Sequence, residues 1–196
     1  MGRTLATSIA AAWTSLAVVA FGCGGHSVPM DAGPVSAGET TVQGSVGGIS
    51  LPAAYALAIP DNSNADSGPT KAFTTLSLGI ANKPFDCSTA GLPNSTLIGI
   101  SIKSIGYMPV GIGSYAIDLD SASPYDNLAD LVTTDATCDE VSPSSCIGGT
   151  VTITEVTATT MTGTFELAFD TGEALHGTFN AGICASVPPS LAGASC

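Results

Sequence analysis

Positive charge is almost missing from this chain. Four Lys and Arg residues stand against sixteen Asp and Glu, with two His, for a formal net charge of −12 at pH 7. No basic stripe is present to neutralise phosphates, so nucleic acid is excluded as a partner. Aromatic residues make up 6% of the sequence and the single Trp, Trp13, lies near the amino terminus. A sugar platform would therefore rest on Tyr107, Tyr115 and Tyr125. There is no C-x-x-C, and the only histidines are His26 and His176, which disfavours a zinc site. The nearest approach to a serine-hydrolase elbow, Gly99-Ile100-Ser101-Ile102-Lys103, lacks the second glycine of G-x-S-x-G. Beyond residue 23 no apolar run reaches the ~20 residues of a membrane-spanning helix.

What is present is concentrated first at the amino terminus. Arg3 and the α-amino group precede an uncharged stretch, Leu5 to Phe21, that ends at Ala20-Phe21-Gly22-Cys23. A basic start, a short apolar middle and a small residue before the cut form the pattern of an export signal. Gly22 and Cys23 match the end of a lipobox, while Ala20 and Phe21 depart from its usual aliphatic and small residues. On these residues the segment resembles the signals of bacterial lipoproteins. The resemblance implies diacylglycerol on Cys23, cleavage before it, and two or three acyl chains. One chain binds a bilayer only marginally and a second makes the anchor firm. Gly24, where an Asp signals inner-membrane retention in such proteins, points to the outer membrane of a cell envelope. The alternative is an ordinary cleaved signal that leaves Cys23 without lipid.

The expected organisation is a signal over 1–22, a lipidated cysteine and tether over 23–39, an all-β domain over 40–185 and a tail over 186–196. Gly24 to Gly38 is mostly Gly, Ser, Pro and Ala, and fifteen such residues span about 20 Å as a flexible coil. Past the cut, Lys71, Lys83 and Lys103 are the only Lys or Arg residues. Setting Cys23 aside leaves Cys87, Cys138, Cys146, Cys184 and Cys196, an odd number. In an exported chain they predict disulfides. The spacing favours a local Cys138–Cys146 bridge around a loop over 139–145. Cys87–Cys184 is the second expected pair, with Cys184–Cys196 as its rival.

Thr, Ser and Gly are abundant and charge is scarce, which points to β structure. Alternation predicts strands near 41–49, 53–59, 71–81, 96–103, 113–120, 149–156, 160–169 and 173–179. The segment 127–134 reads either as an edge strand or as a short helical turn. Asp61 to Thr70 reads as a polar loop. In the strands Leu76, Leu78 and Ile80, then Ile98, Ile100 and Ile102, then Phe165, Leu167 and Phe169 share one face each. Tyr55, Leu57 and Ile59 do the same. About eight or nine such strands predict an antiparallel β-sandwich or a small β-barrel.

The closing stretch carries Gly163-Thr164-Phe165, a turn at Asp170-Thr171-Gly172, then Gly177-Thr178-Phe179 and Cys184. It resembles the ending of Gram-negative lipoproteins in which one G-T-F strand pairs with another before a cysteine. The resemblance implies an extracytoplasmic β domain and brings no catalytic residues with it.

Candidate chemistry is sparse. His176 is the only histidine inside the expected domain, and its strand position points it to solvent. Asp118 and Asp120 lie on one strand face about 7 Å apart, a separation tolerable for a carboxylate pair. Asp61-Asn62-Ser63-Asn64-Ala65-Asp66 has the residue types of a calcium loop but not its register. Asp135, Asp139 and Glu140 form a second acidic loop. No cofactor and no catalytic residue is expected. The leading expectation is a non-enzymatic envelope lipoprotein with a structural or interaction role. The alternative is an extracytoplasmic binding module for a small ligand, carbohydrate or calcium.

Overall fold

Period-two alternation of β-branched and aromatic residues with Thr, Ser and Gly builds strands throughout this chain. The computed structural model describes residues 40–52, 54–66, 72–87, 92–105, 108–118 and 127–184. These form nine strands and no helix: β1 Thr41–Gly44, β2 Tyr55–Asp66, β3 Ala72–Ala81, β4 Thr96–Ile105, β5 Gly113–Asp118, β6 Leu128–Thr134, β7 Glu140–Val156, β8 Thr160–Phe169 and β9 Ala174–Ile183. The expected signal, the tether with Cys23, Asp120, Tyr107, Tyr125 and the tail with Cys196 lie outside the described residues.

Hydrogen bonding runs β9-β2-β3-β4-β6-β7-β8 and returns to β9. The fold is thus a closed seven-strand barrel, with β1 and β5 added outside the ring. A ring with an odd number of strands cannot alternate direction all the way round, so one pair must be parallel. That pair is β2 with β9, and it consists of only Ala56↔Ala181, Leu57↔Gly182 and Ala58↔Ile183. The expected antiparallel small barrel is thus borne out, with this short seam as its one parallel pair. Following register from Ala181 through Ala56, Ile80, Ile98, Leu131 and Ser144 returns to β9 displaced by roughly ten residues, the stagger of a tilted barrel.

Two strands lend one edge to two partners each. β7 takes β6 along Glu140–Ser145 and β5 along Gly148–Ile153. β9 takes β1 along Leu175–Thr178 and β2 beyond Ala181. Between the last two, the Asn180 amide donates to Thr40 Oγ1 at 3.2 Å, and Thr40 bridges Ala54.

The interior is filled by the expected faces, with Leu76, Leu78, Ile80, Ile98, Ile100, Ile102, Phe165, Leu167 and Phe169 all buried. The two G-T-F motifs interlock across β8 and β9. Gly163 stands opposite Phe179 and Phe165 opposite Gly177, with Thr164 and Thr178 between them on the outer face. A Cβ on Gly163 would meet Phe179 Cζ at 2.5 Å and collide with the Thr152 carbonyl oxygen. A Cβ on Gly177 would collide with the Thr41 carbonyl oxygen and come within 3.0 Å of Phe165 Cζ. Each glycine is therefore the space that its neighbour's ring occupies. A fully buried aromatic of this kind stabilises the fold by about 1.5–3 kcal/mol.

Two strand-level expectations are corrected, and the alternative left open at 127–134 is decided. The 127–134 segment is a strand, buried at Ala129, Leu131 and Val132. The polar stretch from Asp61 continues β2 to Asp66, pairing with β3 across a register shift between Asp61 and Ala65. On β2 the barrel-facing residues are Ala56 and Ala58, not Tyr55, Leu57 and Ile59. Those three larger side chains face outward into a second apolar cluster with Ala81, Phe85, Leu92, Leu97, Cys87 and Cys184. There Phe85 packs over Gly79, its Cζ 3.4 Å from where a Cβ would stand.

Cys87 and Cys184 are joined in a disulfide, as expected from the sequence, with a Cα separation of 5.6 Å. The Cys184 amide donates to the Ala58 carbonyl at 2.9 Å, so the bridge sits at the parallel seam. The expected Cys138–Cys146 bridge is corrected. Residues 140–145 are strand, not loop. Cys138 lies in the β6–β7 turn, while Cys146 is six residues along β7 from Glu140, about 20 Å from the turn end. A disulfide needs Cα atoms within about 7 Å. Cys146 is a buried free thiol, whereas Cys138 is disulfide-bonded.

Two expectations follow. Gly163→Ala should lower unfolding free energy by about 1–3 kcal/mol in urea denaturation. Phe179→Leu in the same chain should recover part of that loss as a favourable coupling in a double-mutant cycle. Replacing Cys87 and Cys184 together by Ala should cost about 2–5 kcal/mol. Hydrogen exchange should then rise first at Ala56–Ala58 and Ala181–Ile183.

Candidate functional site

The outer wall of the barrel has two unlike halves. Over β2, β3 and β4 it is covered by the segment that carries Phe85 and Leu92. Over β5, β7, β8, β9 and β1 it is open, and its rows are polar. One row runs Ser114, Thr152, Thr164, Thr178 and Thr41 across the five strands. Thr suits such a face because its branched stem favours extended backbone and its hydroxyl needs no charged partner. Ser114 and Thr152 hydroxyls lie 2.9 Å apart, Thr41 and Thr178 hydroxyls 3.0 Å, and in a neighbouring row Thr154 and Thr162 hydroxyls 3.2 Å. These cross-strand bonds each contribute roughly 0.2–1 kcal/mol.

His176 lies in the adjacent row, between Gln43 and Glu166. Its Nε2 is 3.1 Å from Gln43 Oε1, on the exposed face anticipated from the sequence. Asp118 closes β5, where its amide donates to the Asn127 carbonyl at 3.2 Å. Asn127 ties three strands: its Oδ1 accepts from the Lys103 amide at 2.8 Å and its Nδ2 donates to the Ala116 carbonyl at 2.8 Å. Tyr115 turns its hydroxyl to the Gly111 carbonyl at 2.8 Å, closing the preceding loop.

The Asp135, Asp139 and Glu140 loop is organised around one carboxylate. Asp135 Oδ1 accepts from the Thr137 hydroxyl at 2.7 Å, the Thr137 amide at 2.8 Å and the Asp139 amide at 3.0 Å. The Thr137 hydroxyl also lies 2.9 Å from Asp139 Oδ2, so its one proton is shared between the two carboxylates. The Thr137 hydroxyl, then its amide, hold Asp135 below the usual carboxylate range. This is an Asx turn that shapes the β6–β7 connection, and Cys138 adopts a positive φ of 68° within it. Above the turn, Ser95 and Thr134 hydroxyls lie 3.0 Å apart, and both donate to the Leu92 carbonyl. These contacts hold the segment that covers the second apolar cluster.

Asp130 is the converse case. Burial pushes its carboxyl up, and a hydrogen bond with Ser145 opposes the shift. It stands beside Cys146, whose thiol is also raised by burial and points its Sγ at the Gly148 carbonyl at 3.0 Å. A raised thiol under core side chains is the environment of an inert structural cysteine.

Among the described residues the expected site positions do not converge. His176, Asp118 and Asp135 occupy different regions of the barrel, and no group of three or more metal-ligating side chains forms. The polar row on β5, β7, β8, β9 and β1 was visible in the sequence only as alternating Thr, without the register that lines it up. Comparison with known protein families, with curated proteins and with solved structures finds no match.

The two aspartates should respond oppositely to acid. Asp135 has a depressed folded pKa, so its contribution is present above its unfolded value, near 3.9, and is lost as pH falls through the folded value. Asp135→Ala should lower Tm at pH 7, with the difference fading as acid protonates the carboxylate at its depressed folded value. Asp130 has a raised folded pKa, so its contribution is present below the unfolded value and lost as pH rises through the folded one. Asp130→Asn should raise Tm at pH 7 and lose that advantage on acidification. Thermal scans across pH check both.

Proposed function

We propose that this chain is a lipoprotein of the cell envelope, anchored by acyl chains on Cys23, whose barrel has a non-enzymatic structural or interaction role. The observation that carries the reading is the order Arg3, apolar stretch, Gly22, Cys23, followed by a Gly, Ser and Pro-rich tether. The fold is compatible with it. The first strand of the described residues opens at Thr41, just past the expected tether. A disulfide at the seam suits an oxidising compartment outside the cytosol. The open wall offers hydroxyls, amides and Glu166 rather than a deep apolar slot, which suits contact with a polar envelope partner.

Intact mass of the protein extracted from membranes tests the reading. The expected product begins at Cys23 and carries two or three acyl chains, and it partitions into the detergent phase. Cys23→Ala should move it to the aqueous phase with its thermal transition unchanged. A wild-type product that starts at another residue, or carries no acyl mass, overturns the proposal.

A further inference from the structure

Exposed apolar side chains gather at one end of the barrel. Met108 is 71% exposed, Ile112 70% and Val156 39%. Gly113 pairs with Ile153, and β5 runs from there away from the β7–β8 turn. The segment 108–112 therefore stands at the end that carries this turn, into which Val156 leads. Near the start of β3, the Thr74 hydroxyl donates to the Met108 carbonyl at 2.6 Å. The segment thus crosses the barrel end from β3 to β5. Val110 packs against the main core. Gly111 is clamped by Tyr115, whose hydroxyl donates to its carbonyl at 2.8 Å and accepts from its amide at 3.2 Å. Met108 and Ile112 project from a backbone fixed in this way. Val141 and Ile147, also exposed, stand singly on β7.

Charge is distributed the other way. Met108 to Ser114 contains no Asp, Glu, Lys, Arg or His. The opposite end carries Asp135, Asp139 and Glu140 at the β6–β7 turn, and Asp170 and Glu173 at the β8–β9 turn. At the Met108 end, Glu155 precedes Val156, and Asp61 and Asp66 lie on β2. The chain also enters β1 from the Met108 end. β1 is antiparallel to β9, whose Ile183 amide bonds Thr159 in the β7–β8 turn, so β1 runs away from that turn and Thr40 is its nearer end. Sixteen residues separate Cys23 from Thr40, and a coil of that length reaches about 20 Å. A ten-residue strand such as β8 spans about 34 Å. An anchor on Cys23 thus draws the Met108 end, not the far turns, to the bilayer.

We infer that Met108, Ile112 and Val156 form a rim that seats the barrel on the membrane. Met108 and Ile112 enter the boundary between headgroups and acyl chains, where their side chains leave water. The five carboxylates of the far turns stay outside the headgroups. In this orientation the polar wall of β5, β7, β8, β9 and β1 rises beside the membrane, open to partners. The inference rests on the lipid reading of Cys23, which supplies the membrane.

The test uses the full chain extracted from membranes and reconstituted in phosphatidylcholine vesicles whose acyl chains carry bromine. The only Trp is Trp13, within the expected signal, so Met108→Trp, Ile112→Trp and Val141→Trp each add one reporter, with the unsubstituted chain as the blank. Bromine should quench the reporters at 108 and 112 and spare the one at 141. Quenching at neither rim position, or equal quenching at all three, overturns the rim. Met108→Asp combined with Ile112→Asp supplies a second arm. The pair should leave the thermal transition and the acyl mass unchanged. It should cut quenching of a Val156→Trp reporter about tenfold or more, because two large apolar side chains no longer transfer from water. Undiminished quenching there overturns the role of the two residues. Intact mass of the same samples reports the acyl chains separately. Acylated protein without rim quenching overturns the rim and leaves the lipid reading. Rim quenching without acyl mass overturns the lipid reading and keeps the rim. Absence of both overturns both.

Discussion

An odd ring forces a parallel seam, and the rest of the molecule is arranged around that constraint. Seven strands close only if one neighbouring pair runs the same way, and the pair that does so, β2 with β9, has three aligned residue pairs. A parallel pair needs a long crossover rather than a hairpin. Here the crossover is almost the entire barrel, from β3 to β8, so the seam joins the two ends of the ring and forms by non-local contact alone. Such closure carries a loop entropy cost before any bond is made. The Cys87–Cys184 bridge lies beside this junction, where a covalent tie limits the unfolded chain most usefully. Thr40 completes it by bonding Asn180 between the parts of β9 that β1 and β2 use.

Sharing of edges explains why the barrel has two extra strands but little free edge at these junctions. β7 is long enough to serve β6 at one end and β5 at the other. β9 serves β1 and β2 in the same way. Both shared strands flank β8, so β7, β8 and β9 form the continuous panel on which the rest is hung. Within that panel the core is made of rings set against absent side chains. Gly163 and Gly177 let Phe179 and Phe165 lie across the neighbouring strand. That packing requires the two strands to be in one register only, because a shift by two residues would set the rings opposite Met161, Leu175 or each other, where no gap exists. The motif is thus a register lock as well as a source of buried area.

The G-T-F repeat, the Leu76–Ile80 and Ile98–Ile102 faces and the last hairpin could all be read from alternation, since one buried face makes period two strong. What could not be read came from residues whose two faces are both covered, or whose polarity hid a strand. On β2 the small Ala56 and Ala58 point into the barrel and the large Leu57 points out, so size alternation gave the opposite facing. Residues 140–145 are polar with a proline, Pro143, yet they are strand because β6 pairs along them. That pairing is tertiary and leaves no local mark. The same error produced the expected Cys138–Cys146 bridge, which assumed a loop where the chain is extended. Strand order, and with it the choice of barrel over sandwich, depended on the β2–β9 pairing across more than a hundred residues. The candidate surface was legible as threonine periodicity, but its alignment into one row required that order.

The second apolar cluster has a consequence for where this protein can meet others. A β-barrel normally presents its whole outer wall to its surroundings. Here Leu57, Phe85 and Leu92 convert half of that wall into interior, held by the Leu92, Ser95 and Thr134 contacts and by the seam disulfide. The remaining half is the β5-β7-β8-β9-β1 wall, where the hydroxyls of Ser114, Thr152, Thr178 and Thr41 bond in cross-strand pairs. Hydroxyls paired in this way expose one lone pair or hydrogen each at fixed spacing, and they do so without charge. A partner for that wall must therefore supply its own hydrogen-bonding groups at strand spacing, about 4.8 Å apart, and gains little from acidic or basic residues placed opposite the threonine row.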